Sequence, residues 1–94
     1  MGYYIYIVEC KDGSYYTGMT TNVERRIGEH NGRLLGSRYV RMRRPVRLAY
    51  QEFVGSSTLV RERERKIKKL TRDQKRQLIA SVSGLPPRQR IGGD

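Results

Sequence analysis

Residues 3–9 run Tyr-Tyr-Ile-Tyr-Ile-Val-Glu, and their two-residue alternation sends Tyr4, Tyr6 and Val8 to one face and Ile5 and Ile7 to the other. This β-branched and aromatic run predicts a strand. The Asp12-Gly13 pair within Lys11-Asp12-Gly13-Ser14 favours the positive φ of a tight hairpin, after which Tyr15-Tyr16-Thr17 resumes strand composition. The two strands should pair. In Thr21-Asn22-Val23-Glu24 the Thr-x-x-Glu spacing is a capping box that predicts a helix over about residues 22–31. Val23 and Ile27, four apart, supply its apolar contact, while Arg26 and His30, also four apart, project together beside it. Asn31-Gly32 is the expected stop.

Residues 32–45 are rich in Gly and Arg, with Leu34, Leu35, Tyr39 and Val40 as anchors for a short helix or an ordered loop. Residues 46–54 predict a third strand in which Val46, Leu48, Tyr50 and Glu52 alternate against Arg47, Ala49, Gln51 and Phe53. Gly55-Ser56-Ser57 ends that strand and caps the next helix, expected over about residues 58–70, where Val60, Ile67 and Leu70 recur at helical spacing with Leu59 beside them. Thr71-Arg72-Asp73-Gln74 is a second capping box and opens a further helix using Leu78, Ile79 and Val82. Pro86-Pro87 and the Gly92-Gly93-Asp94 end mark residues 84–94 as a disordered tail after one domain over residues 1–83.

The length of 94 residues excludes a multi-domain enzyme and leaves a core built from a few well-patterned elements. A lone Cys10 cannot form an internal disulfide, and Cys10 with His30 cannot build a four-ligand zinc site. The N-terminus lacks a basic start followed by an apolar stretch, and no run of about 18 apolar residues occurs. The expectation is a soluble, intracellular, cytoplasmic protein with no membrane association.

Charge sharpens the picture. The chain carries 20 Lys and Arg against 9 Asp and Glu, a net charge of +11. Residues 31–76 hold fifteen basic groups against four acids, while residues 1–30 are slightly acidic. So dense a block repels itself unless a polyanion neutralises it, and nucleic acid is the commonest such partner. An acidic protein surface is the other partner such a block suits, and a plain solvated surface is the bland reading.

Glu64 lies four residues after Val60 and three before Ile67, inside the stripe that should pack on the sheet, whereas Glu62 points nearly the opposite way. A carboxylate on a packing face costs several kcal/mol unless it is paired, protonated or bound to a cation. Two readings stand: a salt bridge to one of the many arginines, or a metal ligand at the bottom of a cleft. One carboxylate suffices in principle for Mg²⁺, which keeps several waters and takes substrate phosphates. Calcium cages and two-metal sites need more acids than this chain offers near one element. Tyr6 and Tyr16 on the paired strands, with Arg26 and His30 on the following helix, are the other polar groups able to converge. With a metal they would provide what phosphodiester hydrolysis needs: a polarised phosphate, a cation for the developing charge, and a relay for the water's proton.

Taken together, Tyr4-Ile5-Tyr6, then Tyr16-Thr17-Gly18 ten residues after Tyr6, then Arg26, His30 and a later helical Glu64 resemble the GIY-YIG nuclease domain. The likeness covers about residues 3–83 and is closest to small single-domain bacterial and archaeal members, with Asp-Gly-Ser-x-Tyr-Thr-Gly in the hairpin and Ile67-Lys68-Lys69-Leu70 closing the helix that bears the glutamate. Tyr4 replaces the namesake Gly and Thr17 the namesake Ile, but both tyrosines that carry function remain.

The resemblance implies an α+β fold, a three-stranded antiparallel sheet flanked by helices, with the tyrosines, Arg26, His30 and Glu64 lining one cleft. It implies Glu64 as ligand to Mg²⁺ or Mn²⁺, Arg26 as phosphate clamp, Tyr16 as the water-activating group and Tyr6 as a hydrogen-bonding partner. His30 would assist proton transfer or hold a phosphate. A phenol with a reference pKa near 10 needs nearby cations to act as a base at pH 7. Gly18 would let phosphate or metal approach closely, or would serve only as a turn residue. Arg38, Tyr39, Arg41, Arg43 and Arg44, with Lys68 and Lys69, would form a groove for DNA, or for RNA in second place, because guanidinium forks suit phosphates and the ring can stack on a base. The leading expectation is a metal-dependent nuclease of low sequence specificity. The alternatives are a nucleic-acid-binding module of the same fold that does not turn over or needs a partner to cut, and a domain that docks on an acidic protein.

Overall fold

The structure is a computed structural model that describes residues 2–32 and 38–83. Its order is β1 (Tyr3–Cys10), β2 (Tyr15–Thr20), α1 (Val23–Asn31), α2 (Arg38–Arg41), β3 (Val46–Gly55), α3 (Ser57–Lys68) and α4 (Arg72–Ser83). The strands form one antiparallel sheet in the order β2-β1-β3, so β1 is central and loses both faces to packing. The α+β expectation of a three-stranded antiparallel sheet flanked by helices is what the chain adopts. Leu34, Leu35 and the 84–94 tail lie outside the described residues, as do the side chains of Arg38, Tyr39 and Val82.

Alternation along β1 divides the interior. Ile5 and Ile7 join Tyr50, Val60, Ile67 and Ile79 on the face covered by α3 and α4. Tyr6, Val8 and Cys10 join Val23, Val40 and Val46 on the face covered by α1 and α2, with Tyr4, Tyr16 and Ile27 packed alongside. Cys10 is a free, buried thiol there, in line with its expected lack of an internal partner.

The β1–β2 hairpin turns where Gly13 takes φ +86°, closed by Gly13 N donating to Cys10 O at 2.9 Å and by the Asp12 carboxylate accepting from the backbone N and hydroxyl of Ser14. Helix α1 begins one residue later than its Thr-x-x-Glu pattern suggests. Asn22 is the cap and accepts from Arg25 N at 3.0 Å, while Thr20 Oγ1 accepts from Asn22 N. The second capping box forms as expected: Thr71 Oγ1 accepts from Gln74 N at 3.1 Å, and Gln74 Oε1 accepts from Thr71 N at 2.9 Å. Ser56 caps α3.

The third strand departs from its expected pattern. Ile7 pairs with Tyr50 but Val8 pairs with Leu48, so Ala49 is an extra residue, a bulge that reverses the side-chain parity beyond it. Val46 therefore packs with the α1 face, and Tyr50 turns to the opposite one. A second register shift lies between Tyr3 and Tyr4, where Tyr4 meets Phe53 edge to face at 5.1 Å.

Candidate active site

The site begins at Tyr6. Position 6 is central on β1, directly opposite Gly18 of β2. A Cβ on Gly18 would collide with the Tyr6 phenol, so the ring lies flat over the neighbouring strand only because that residue has no side chain. Gly18 is thus neither a turn residue nor an opening for phosphate, as sequence had suggested. It lies inside β2 and seats a tyrosine.

Helix α1 closes over this ring. His30, in its last turn, is fully buried, and its Nε2 lies 2.7 Å from Tyr6 Oη. Arg26, one turn earlier, lies close enough to the same phenol to oppose the rise in its pKa and holds Glu29 at 2.8 Å. Across the 2.7 Å contact with His30 the phenol donates to the imidazole or accepts from it according to which ring nitrogen carries the proton. His30 Nδ1 has no protein partner among the described residues, although it is buried. The ring of Tyr16, half-buried on β2, meets His30 edge to face at 5.4 Å.

Glu64 completes the group from α3. Val60 and Ile67 on the same stripe are buried, and the Glu64 side chain keeps 21% of its exposure where the stripe passes the sheet. Its ion-pair partner among the described residues is Lys68, at 3.4 Å and one helical turn on, rather than an arginine. The arginine next to it in sequence, Arg63, is engaged elsewhere: its Nε donates to Glu52 at 2.8 Å, and Glu52 also accepts from the Tyr50 hydroxyl. This clamp between β3 and α3 fixes the rotation of the helix that carries Glu64. Sequence reading set Tyr50 and Glu52 on one side of the strand but named no partner for Glu52.

Electrostatics reflects the convergence. Burial pushes the Tyr6 phenol up to about 12, with Arg26 opposing and the neighbouring Tyr16 and Glu64 adding to the rise. Burial and then the charge of Arg26 pull His30 down to about 4, against a weaker opposing pull from Glu29. At neutral pH both members of the 2.7 Å pair are uncharged. The Glu29 hydrogen bond keeps Arg26 firmly protonated. His30 meets the Tyr6 phenol by contact, while Arg26, Tyr16 and Glu64 influence its proton.

The basic residues are spread more widely. Arg38 and Tyr39 lie on the short α2, Arg41 and Lys69 are exposed, and Arg44 is half-buried. Arg43 binds Asp12 at 3.1 Å, which fastens the 41–45 segment to the hairpin. Among the described residues no group of three or more His, Cys, Asp or Glu gathers in the manner of a multi-ligand metal cage. The oxygen donors that are present, one carboxylate with phenols nearby, suit a hard cation that keeps most of its waters.

A three-stranded antiparallel sheet with a phenol, an imidazole, a guanidinium and a helical carboxylate gathered at its central strand is the arrangement of a nuclease-type catalytic domain. The chain belongs to the family of the GIY-YIG catalytic domain, whose sequence model matches residues 2–77. It is similar to the UPF0213 protein of Clostridium perfringens, 52% identical over 80 residues that cover 85% of each chain. A UPF0213 protein of Syntrophus aciditrophicus is 49% identical, over 81% of this chain and 87% of the relative. Among solved structures it resembles the solution NMR structure of the UPF0213 protein BH0048 from Bacillus halodurans, with 36% identity, 98% coverage of both chains and a TM-score of 0.58. Membership places the substrate class among nucleic acids. Among the described residues no helix is long and apolar enough to cross a membrane.

Proposed function

We propose that this protein is a divalent-metal-dependent endonuclease that hydrolyses phosphodiester bonds in DNA inside the cell, with low sequence specificity and a preference set by substrate structure. The observation that carries this reading is the convergence on the Tyr6 phenol, which bonds to His30 and feels Arg26, Tyr16 and Glu64.

The half-buried Glu64 would hold Mg²⁺ or Mn²⁺ by one carboxylate, and the cation would supply charge for the phosphate oxygens. Arg26 clamps the phosphate, since its pairing with Glu29 leaves the guanidinium fork charged and oriented. Tyr6, buried and raised to about 12, keeps its proton and acts as a hydrogen-bonding member of the site. That leaves the half-buried Tyr16 to take the proton of the attacking water. His30 is fully buried and uncharged at neutral pH, which favours proton handling and orientation of Tyr6 over holding a phosphate. Arg38, Tyr39, Arg41, Arg43, Arg44, Lys68 and Lys69 bind the strand. A domain with so few contacts reads backbone and shape rather than base sequence.

One observation favours a second reading, a nucleic-acid-binding module without turnover: Lys68 already neutralises Glu64. Labelled branched, single-stranded and duplex DNA, incubated with the purified protein and Mg²⁺ or Mn²⁺, separates the two. Metal-dependent cutting of at least one substrate is expected, and binding to all three without cutting in either metal would overturn the nuclease reading.

A further inference from the structure

A second cationic site lies beside the one just described. The tip of the β1–β2 hairpin and the start of α4 enclose a pocket of about 220 Å³ lined by Ser14, Tyr15, Leu70, Arg72 and Lys75. No acid lines it, and among the described residues neither Arg72 nor Lys75 forms an ion pair, although Asp73, between them in sequence, pairs with Arg76 at 3.7 Å. Two cations facing one hollow with no carboxylate between them repel each other, and such an arrangement is relieved by an anion.

The two charges sit against the hairpin, Arg72 exposed and Lys75 half-buried. Arg72 reaches back over the hairpin turn, where a Cβ on Gly13 would stand 3.2 Å from its terminal nitrogen. Gly13 is needed there for its φ of +86°, and the guanidinium lies against its backbone. The hairpin tip is itself stiffened by Asp12, which accepts from Ser14 and from Arg43. Lys75 is half-buried, and burial together with the charge of Lys68 pulls its ammonium below the ordinary lysine range. Lys68 also pairs with Glu64, so this pocket and the candidate active site share a neighbour.

We propose that Arg72 and Lys75 hold a phosphate group of the bound nucleic-acid strand, one that is not cut, and so set the strand's register against Glu64. The fork of Arg72 offers paired donors to phosphate oxygens, and Lys75 offers a compact charge beside it. This rests on the nucleic-acid reading above and adds to it a defined anchoring point outside the basic block of α2.

The test uses the ¹⁵N-labelled full chain without added metal, titrated first with inorganic phosphate and then with a single-stranded DNA 12-mer. Both ligands should move the amides of Ser14, Tyr15, Arg72 and Lys75. The double variant Arg72→Gln/Lys75→Met should abolish those shifts, weaken oligonucleotide binding about tenfold and lower the salt slope of binding by about one. Lys75→Arg, which keeps the charge, should retain both. Amide dispersion of each variant reports its folding before binding is read. Phosphate shifts confined to other residues would overturn the proposal, as would a folded double variant with unchanged oligonucleotide affinity and salt slope. The readout is binding alone, so a protein that never cuts DNA would contradict the nuclease reading while leaving this result intact.

Discussion

The two faces of β1 do different work although they share one backbone. On the α3–α4 face, Ile5 and Ile7 meet Val60, Ile67 and Ile79, a cluster of nearly inaccessible aliphatic side chains beside Tyr50, whose hydroxyl turns to Glu52. On the α1 face, the equally buried Tyr6 and His30 present an oxygen and two nitrogens to the interior. Apolar burial stabilises by roughly 25 cal/mol per Å² with no directional demand, whereas a buried polar group costs about 1–3 kcal/mol unless a partner is aimed at it. The first face can tolerate rearrangement and the second cannot. The Tyr6–His30 pair carries that cost on the α1 face, while the carboxylate of Glu64 is supplied from α3, within the apolar stripe of the other face.

Substitutions on the two faces should therefore separate stability from activity. Ile79→Ala removes a nearly inaccessible side chain from the aliphatic cluster and should lower unfolding free energy by about 2–5 kcal/mol in a denaturant titration, with cleavage per folded molecule unchanged. Arg26→Ala should do the reverse, cutting the metal-dependent cleavage rate about 100- to 1,000-fold while thermal unfolding moves little, since its carboxylate partner among the described residues, Glu29, lies on the same helix. An equal loss of activity in both variants would erase the distinction.

The imidazole gives the polar face a pH signature. His30 titrates near 4 when folded and near 6.5 when unfolded, so between those values the unfolded chain binds the extra proton. Its stabilising contribution is complete above about 6.5 and falls as the pH drops toward 4, by about 2–3 kcal/mol across that window. Unfolding midpoints measured from pH 7 to 4.5 should show this slope, and His30→Gln should flatten it. Smaller still, Gly18→Ala should cost about 1–3 kcal/mol through overpacking against the Tyr6 ring. Cleavage should fall by more than that loss accounts for, because the displaced phenol leaves Arg26 and His30. Equal cleavage at full folding would show that the ring's seat on Gly18 is immaterial.

Much of this was legible in the chain, and the exceptions are instructive. The strict alternation of Tyr4 to Val8 assigns both faces of β1, and Val60–Glu64–Ile67 marks a carboxylate on a packing stripe before any coordinates are known. Local signals of this kind survive because each rests on a period of two or 3.6 residues. Beyond Ala49 the same logic fails on β3, since a single extra residue reverses parity and sequence carries no mark of it. Where one reading of Glu64 had an arginine, the described residues place Lys68, one helical turn on, at 3.4 Å. Asn31 reads as a helix stop but also clasps the backbone of Val46 with its side chain, donating to the carbonyl at 3.0 Å and accepting from the N–H at 2.8 Å. Contacts between residues distant in sequence, such as Tyr6 on Gly18 or Asn31 on Val46, depend on register and crossing geometry that no window along the chain contains.

The most direct measurement of the central claim is a side-by-side assay of the unmodified protein and Glu64→Gln on one labelled DNA, scoring binding without metal and cleavage with Mg²⁺ or Mn²⁺. The substitution keeps size and helix while removing the charge that Lys68 now neutralises. The account predicts cleavage lowered by at least about 100-fold with affinity held within a few-fold. Undiminished cutting by a folded Glu64→Gln protein would contradict it, because the carboxylate on the packing stripe would then have no part in the hydrolysis.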